Sequence, residues 1–275
     1  MTRQQKWVRA AVGSMLGLLI AFFGLTSSGQ ALASEFLGLF RVQKFAPISI
    51  SPEAMANLEN MDFEGLMPGE MVWDEEAVEP QPVASIDEAI SLAPDALVFV
   101  PDLGEPTEIA VGGGGSGTLT VDLAAARTIL NIAGVDGTLL PDDLDGADIS
   151  VATEAGIFIQ WDEGNTTMVQ MPSPSVSYPG NFDPQPIGQA LLQFLGMSES
   201  EAVRLSNSID WTSTLILPVP TGVASFQEVL IWGNPGILMT ANDGSGSSVI
   251  FETRGNVIML QGDWSADELI ALANG

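Results

Sequence analysis

Apolar and polar positions alternate with a period of two through much of the second half of this chain. The runs "GIFIQW" and "TTMVQM" flank the turn "DEGN" and predict a hairpin over 156–171. "WTSTLILPVP" alternates and stops at its prolines. The runs "FQEVLIW", "ILMTA", "VIFET" and "VIMLQG", separated by "GNPG", "NDGSGSS" and "RGN", predict an antiparallel meander. Between these strands the pattern changes to helical spacing at a few capped places. Ser85 with Glu88, Ser198 with Glu201, and Ser265 with Glu268 are capping boxes before "IDEAISLA", "ESEAVRLSNSI" and "ADELIALAN". Asp122 caps "LAAARTILNIA", which Gly134 terminates, and "IGQALLQFL" ends at Gly196. The resulting fold class is α+β: a curved antiparallel β-sheet, half-barrel-like, with several short helices packed on it.

The first third is less regular. Residues 34–61 read as an apolar and partly helical segment. "SEFLGLFRVQKFAPISI" ends in an extended "PISISP", and Ser51 caps a short helix with Pro52 at its first position. Residues 62–84 are acidic and carry prolines with no clean period, so they read as a linker. The main domain is expected over 85–275. Within it "ALVFV" is a candidate buried strand and "PSPSVSYPGNFDPQP" a long loop.

Residues 1–33 look like a targeting segment. A basic leader, "MTRQQKWVR", precedes a 16-residue apolar run over 10–25, and Ala31-Leu32-Ala33 has the small-x-small form of a signal-peptidase site. The run is short for a span, which takes ~20 residues. A retained anchor, with Gly13 and Gly17 as a packing face, is the alternative to cleavage. Both place the working domain outside the cytoplasm, with membrane contact through this segment if it is uncleaved.

Gly112, Gly114 and Gly117 spell G-x-G-x-x-G, and Gly112 and Gly117 also frame four residues before Thr118. A dinucleotide loop must open straight into a helix, and a phosphate loop needs a lysine before its hydroxyl. Here "TLTVD" alternates like a strand, and no lysine is present. A flexible turn joining "EIAV" to "TLTV" in a hairpin is the better reading.

Charge narrows the partners. The chain carries 8 basic and 35 acidic residues, and every acid lies beyond residue 33 with only Arg41, Lys44, Arg127, Arg204 and Arg254 to balance them. Such a surface repels phosphate backbones, so no nucleic acid is expected as a partner. Without cysteine or histidine, thiol nucleophiles, His-based triads and the usual structural zinc sites are excluded. Asp162 and Glu163 beside Trp161, and Asp210 beside Trp211, are the neighbours that most suggest a hydrolase pair, yet context singles out neither. Asp142, Asp143, Asp145 and Asp148 around Gly146 offer oxygen ligands for calcium without EF-hand spacing, and an acidic solvated turn is the simpler reading. No catalytic, cofactor-binding or metal-ligating residue is assigned. Phe158, Trp161, Met168, Met171, Trp232, Met239, Phe251 and Met259 would either fill the core or line a concave apolar cradle.

"SIDEAISLA" with "FVPDLGEP", "IDWTSTLILPVP", and "VIFETRGNVIMLQGDWSADELIALAN" resemble a bacterial extracytoplasmic domain family of unknown function associated with extracytoplasmic-function sigma and anti-sigma factors. "EFLGLFRVQKFAPISI" adds to the likeness. The family is similar to the periplasmic sigma-E regulatory protein and the lipoprotein-carrier fold, an open half-barrel with helices in its mouth. This resemblance, from Ser85 onward, implies a sensor or binding role in sigma-factor regulation. Lacking Cys and His, the chain departs from the zinc-binding anti-sigma segment that members often accompany. The expectation is therefore a non-enzymatic, exported envelope protein that binds an envelope or membrane protein or an apolar ligand. A lipid or lipoprotein carrier is the first alternative, and an envelope hydrolase the second.

Overall fold

The computed structural model describes residues 37–51, 53–54, 67–96, 99–162, 165–179 and 183–275. The targeting segment over 1–33 lies outside these residues, as does most of the short helix after Ser51. The α+β expectation holds: one large, curled, mostly antiparallel sheet carries short helices.

Two long strands form its spine. β5 (Glu108–Val121) pairs along its whole length with β6 (Asp148–Trp161). The outer edge of β5 takes β3 (Gly69–Glu75) and β4 (Val78–Pro82). Two arms leave the opposite edge of β6. From its first half run β8 (Ser175–Pro179) and β1 (Leu37–Arg41). From its second half run β7 (Thr166–Pro172), β13 (Asn256–Gly262), β12 (Ser247–Thr253), β11 (Asn234–Ala241) and β10 (Ala224–Ile231), ending the sheet.

A sheet that forks needs something in the fork. Phe40 and Tyr178 from the first arm meet Ile237, Ile250 and Val257 from the second. Leu215 and Leu217 fill the gap from β9 (Thr214–Pro220), which pairs in parallel with β2 (Lys44–Ile50). The other side of that two-stranded ribbon receives two helices. Ile48 packs with Leu192 of α3 (Gln185–Phe194) and Ala202 of α4 (Glu199–Ser206).

The opposite face of the large arm is sealed as well. Trp161, Met168, Phe251, Ile258 and Leu260 are buried beneath Ala89 and Ala93 of α1 (Ile86–Leu92) and its end, and Leu269 and Ala273 of α5 (Ala266–Ala273). α2 (Leu123–Ile132) covers the far end of the spine through Leu123 and Ala126. Ser85 caps α1 by accepting from Glu88 N–H, but the Glu88 carboxylate accepts from Ala84 N–H, so the reciprocal bond of the expected box is not made. Ser198–Glu201 and Ser265–Glu268 are complete capping boxes, Asp122 caps α2, and Gly134 follows α2 at φ 78°.

Four expectations are corrected. The four glycines are not a hairpin turn: they lie inside β5, bonded to β6 on one side and beside β4 on the other. Gly113, Gly114 and Gly115 take φ of 79°, 72° and 144°, so the glycines act as a crease that lets a 14-residue strand bend into two sub-sheets. The stretch read as part of a linker forms β3 and β4 over 69–82. Its two prolines, Pro80 and Pro82, sit on an edge strand, where a missing N–H costs nothing. The proline-rich loop contains β8, held from both sides by β1 and β6. In "ALVFV" the described Phe99 and Val100 are not in a strand, and residues 97–98 lie outside the description. In the segment 34–61, β1 and β2 precede Ser51, whose Oγ accepts from Ala54 N–H at 3.1 Å at the start of the short helix.

Candidate interaction surface

β10 is an open edge of the sheet, and its geometry follows from the turn beside it. β10 and β11 are joined by two residues, Trp232 and Gly233, at φ 51° and 80°. Two left-handed residues in a two-residue loop make a tight hairpin, so Ile231 and Asn234 form its first hydrogen-bonded pair. Counting back, Val229, Gln227 and Ser225 direct their N–H and C=O groups toward β11. Leu230, Glu228 and Phe226 direct theirs outward. Pro235 lies opposite Leu230, at a site outside the β10–β11 hydrogen bonds, which agrees with this register.

The same three outward residues share a face. Phe226 is 38% exposed and Leu230 65% exposed, with Glu228 between them. The edge on the β5 side is guarded: β4 carries Pro80, Pro82 and Glu79, and irregular pairing interrupts both β3 and β4. β10 has no proline, no lysine and no bulge over eight residues. Such an edge is a template for another strand.

Its end is held firmly. The Trp232 indole sits edge-on to Phe99 at 4.6 Å and to Phe251 at 5.6 Å, and Asn274 Oδ1 accepts from Trp232 N–H at 2.9 Å. Phe99 is fixed in turn by Gln170, whose Oε1 accepts from Phe99 N–H at 3.2 Å and whose Nε2 donates to Phe99 O at 2.8 Å. Trp161 Nε1 donates to Gly104 O at 3.3 Å and holds the segment over 99–104 against the sheet.

The eight aromatic and methionine residues do not line an open cradle together. Trp161, Met168, Phe251 and Met259 are buried, and Phe158, Met171 and Met239 are half-buried. Trp232 is the exposed one of the set. Two open clefts are present among the described residues. One, of about 380 Å³, is lined by Asp74, Glu75, Ser116, Ser150, Ser175 and Ser177. The other, of about 510 Å³, lies beside Arg41 and Arg254.

The candidate chemical groups are otherwise engaged. Asp210 accepts from the Thr212 and Ser213 hydroxyls at 2.6 and 2.8 Å, bonds that hold its carboxyl below the usual range. Trp211 Nε1 donates to Ser206 O. Asp162 sits at the start of its turn with φ 49°, and Glu163 is outside the described residues. In the acidic loop, Asp142 pairs with Arg127, Asp145 accepts from Leu123 N–H, and Asp148 accepts from Thr120, so these three acids serve separate neighbours. Among the described residues no group of three or more acids is disposed to hold a metal ion. No helix among them is long and apolar enough to cross a membrane.

The sequence reading found β10 as a strand and missed it as an edge. Phe226, Glu228 and Leu230 on one parity and Gln227, Val229 and Ile231 on the other give a mixed pattern, which is the available hint.

Fold and surface together define an α+β protein whose curled sheet is filled on both faces and open along β10. Comparison with family models, characterised proteins and solved structures finds no match to the chain.

Proposed function

We propose that this protein is a non-enzymatic binding module of the cell envelope that holds an extended, cationic segment of a partner protein along β10. The observation that carries the reading is the unguarded edge with Phe226 and Leu230 on its outward positions. Main-chain bonds from Phe226, Glu228 and Leu230 would supply affinity, and the two apolar side chains selectivity. Glu228 at the centre, on a chain with formal charge −27, favours lysine or arginine on the incoming strand. The same charge opposes pairing of two copies. An extracytoplasmic location rests on the leader, apolar run and Ala-x-Ala site over 1–33. A regulatory role in a sigma-factor system rests on the resemblance described above. Lipid carriage is the less favoured reading, because helices cover the apolar face that a carrier would leave open.

Titration of the full chain with a labelled eight-residue peptide of alternating lysine and valine tests the proposal by fluorescence anisotropy. Saturable binding that weakens with salt, and falls at least about tenfold in Leu230→Lys, is expected. No binding, or equal binding by the variant, overturns it. Native mass spectrometry before and after organic extraction tests the carrier reading. A bound acyl species lost on extraction would put carriage in place of the proposal, whereas a clean mass accords with it.

A further inference from the structure

The second cleft points to a separate ligand. We propose that it binds a small organic oxyanion, a carboxylate or phosphate ester, between the guanidinium groups of Arg41 and Arg254. Basic residues are scarce in this chain. Beyond residue 33 the chain has five basic residues against 35 acids, and two of the five line this one cleft of about 510 Å³. With seven acids for each base, partners are abundant, and Arg127 has taken Asp142 at 2.7 Å. Among the described residues, neither the Arg41 nor the Arg254 side chain makes an ion pair or hydrogen bond. Both arginines line the cleft and are exposed, and a guanidinium carries five donors in the fork geometry that suits carboxylate and phosphate oxygens.

The walls are built rather than loose. Arg41 ends β1 and Arg254 sits in the β12–β13 turn, elements far apart in sequence. Ser173 ties them together: its Oγ accepts from Val42 N–H at 2.9 Å, and its N–H donates to Gly255 O at 2.7 Å. Gly255 N–H donates to Glu252 Oε1 at 2.7 Å, fixing the turn from its other side. Arg41 N–H is bonded to Thr212 O at 3.1 Å. Arg254 has φ 52°, a left-handed conformation that costs a non-glycine residue on the order of 1 kcal/mol. Glycine or asparagine would remove that cost, yet an arginine stands there.

Glu252 also lines the cleft. One of its oxygens accepts from Gly255 N–H and the other has no protein partner among the described residues, leaving it to meet a hydroxyl or ammonium on the ligand. Asn234 and Gln43 add neutral amides to the rim. The lining thus suits a small molecule with an oxyanion at one end and a donor nearby. The volume lies in the range of small-ligand sites.

Thermal unfolding of the full chain with two probes, inorganic phosphate and succinate, tests the site at about 50 mM, against chloride at matched ionic strength. A rise in Tm of about 3 °C with either probe is expected. The probe that acts identifies the anion as phosphate-like or carboxylate-like. The double variant Arg41→Ala/Arg254→Ala should lose the rise, while Arg204→Ala, on α4, keeps it. Backbone NMR shifts at Gln43, Arg254 and Gly255 should move with the active probe. No rise with either probe, or a rise undiminished in a folded double variant, overturns the proposal. Leu230→Lys leaves these responses unchanged, so this site and the β10 surface fail or stand separately.

Discussion

Gln170 is a polar side chain at 0% exposure, flanked across the sheet by Ile157 and Ile258. It is tolerated there because its amide meets both backbone groups of Phe99. Leucine at this position would keep the volume and strand both groups. Gln170→Leu is expected to lower stability by roughly 2–3 kcal/mol, seen as a Tm about 5–10 °C lower. A change under about 1 °C would mean that the clamp contributes nothing. Trp232 poses the opposite case. Asparagine is the natural residue at the first position of its turn, so Trp232→Asn gains backbone ease and loses two edge-on aromatic contacts. The expected outcome is a stability change within about 1 kcal/mol, with weaker peptide binding at the end of β10. A large stability loss with unchanged binding would make this tryptophan purely a core residue.

At the scale of elements, the glycines of β5 decide how the sheet curls. A Cβ on Gly112 would stand 2.4 Å from Pro80 Cα and 2.6 Å from its N, both backbone atoms with no freedom to yield. Gly112→Val should push β4 from β5 and cost about 2–4 kcal/mol, measurable as a lower denaturant midpoint. An unchanged midpoint would contradict the close packing of β4 on Gly112. Element legibility in the sequence followed the strength of local signals. Capping boxes at Ser198 and Ser265 were readable from side-chain chemistry, and β12 and β13 from apolar runs bounded by turn residues, which suit strands buried on both faces. β3, β4 and β8 were not, because their prolines and acids read as loop. What makes them strands is pairing with β5 and β6, which a local pattern does not contain. The glycines misled for the same reason: turn residues by propensity, they are needed here for close approach and positive φ. Of the candidate surface, β10 was visible as a strand. Its place at the edge, and the presence of Arg41 and Arg254 on one cleft, depend on topology alone.

For the whole molecule, charge sets the response to acid. The Thr138, Thr212 and Ser245 hydroxyls hold the carboxyls of Asp136, Asp210 and Asp243 below their ordinary value of 3.8, and Ser198 and Ser265 do so for Glu201 and Glu268 against 4.5. A carboxyl depressed in the folded state adds stability above its unfolded pKa and loses it as pH falls through the folded one. These five groups therefore contribute fully above about pH 5.5, weaken as pH falls past their ordinary values of 4.5 and 3.8, and lose the contribution only below their own lowered values. Tryptophan fluorescence in urea should show the acid decline, and Asp210→Asn should soften it. A midpoint that climbs below pH 4 in the wild type would contradict this.

The most direct test of the account is amide hydrogen exchange along β10, read by NMR with and without the lysine–valine peptide. If the incoming segment adds as a strand, the amides of Phe226, Glu228 and Leu230 slow markedly on binding. Those of Ser225, Gln227 and Val229, already bonded to β11, stay as they were. This every-second-residue pattern belongs to edge pairing and to no side-chain contact. Unchanged exchange at the three outward amides in the presence of bound peptide would contradict the account and place the binding surface elsewhere on the molecule.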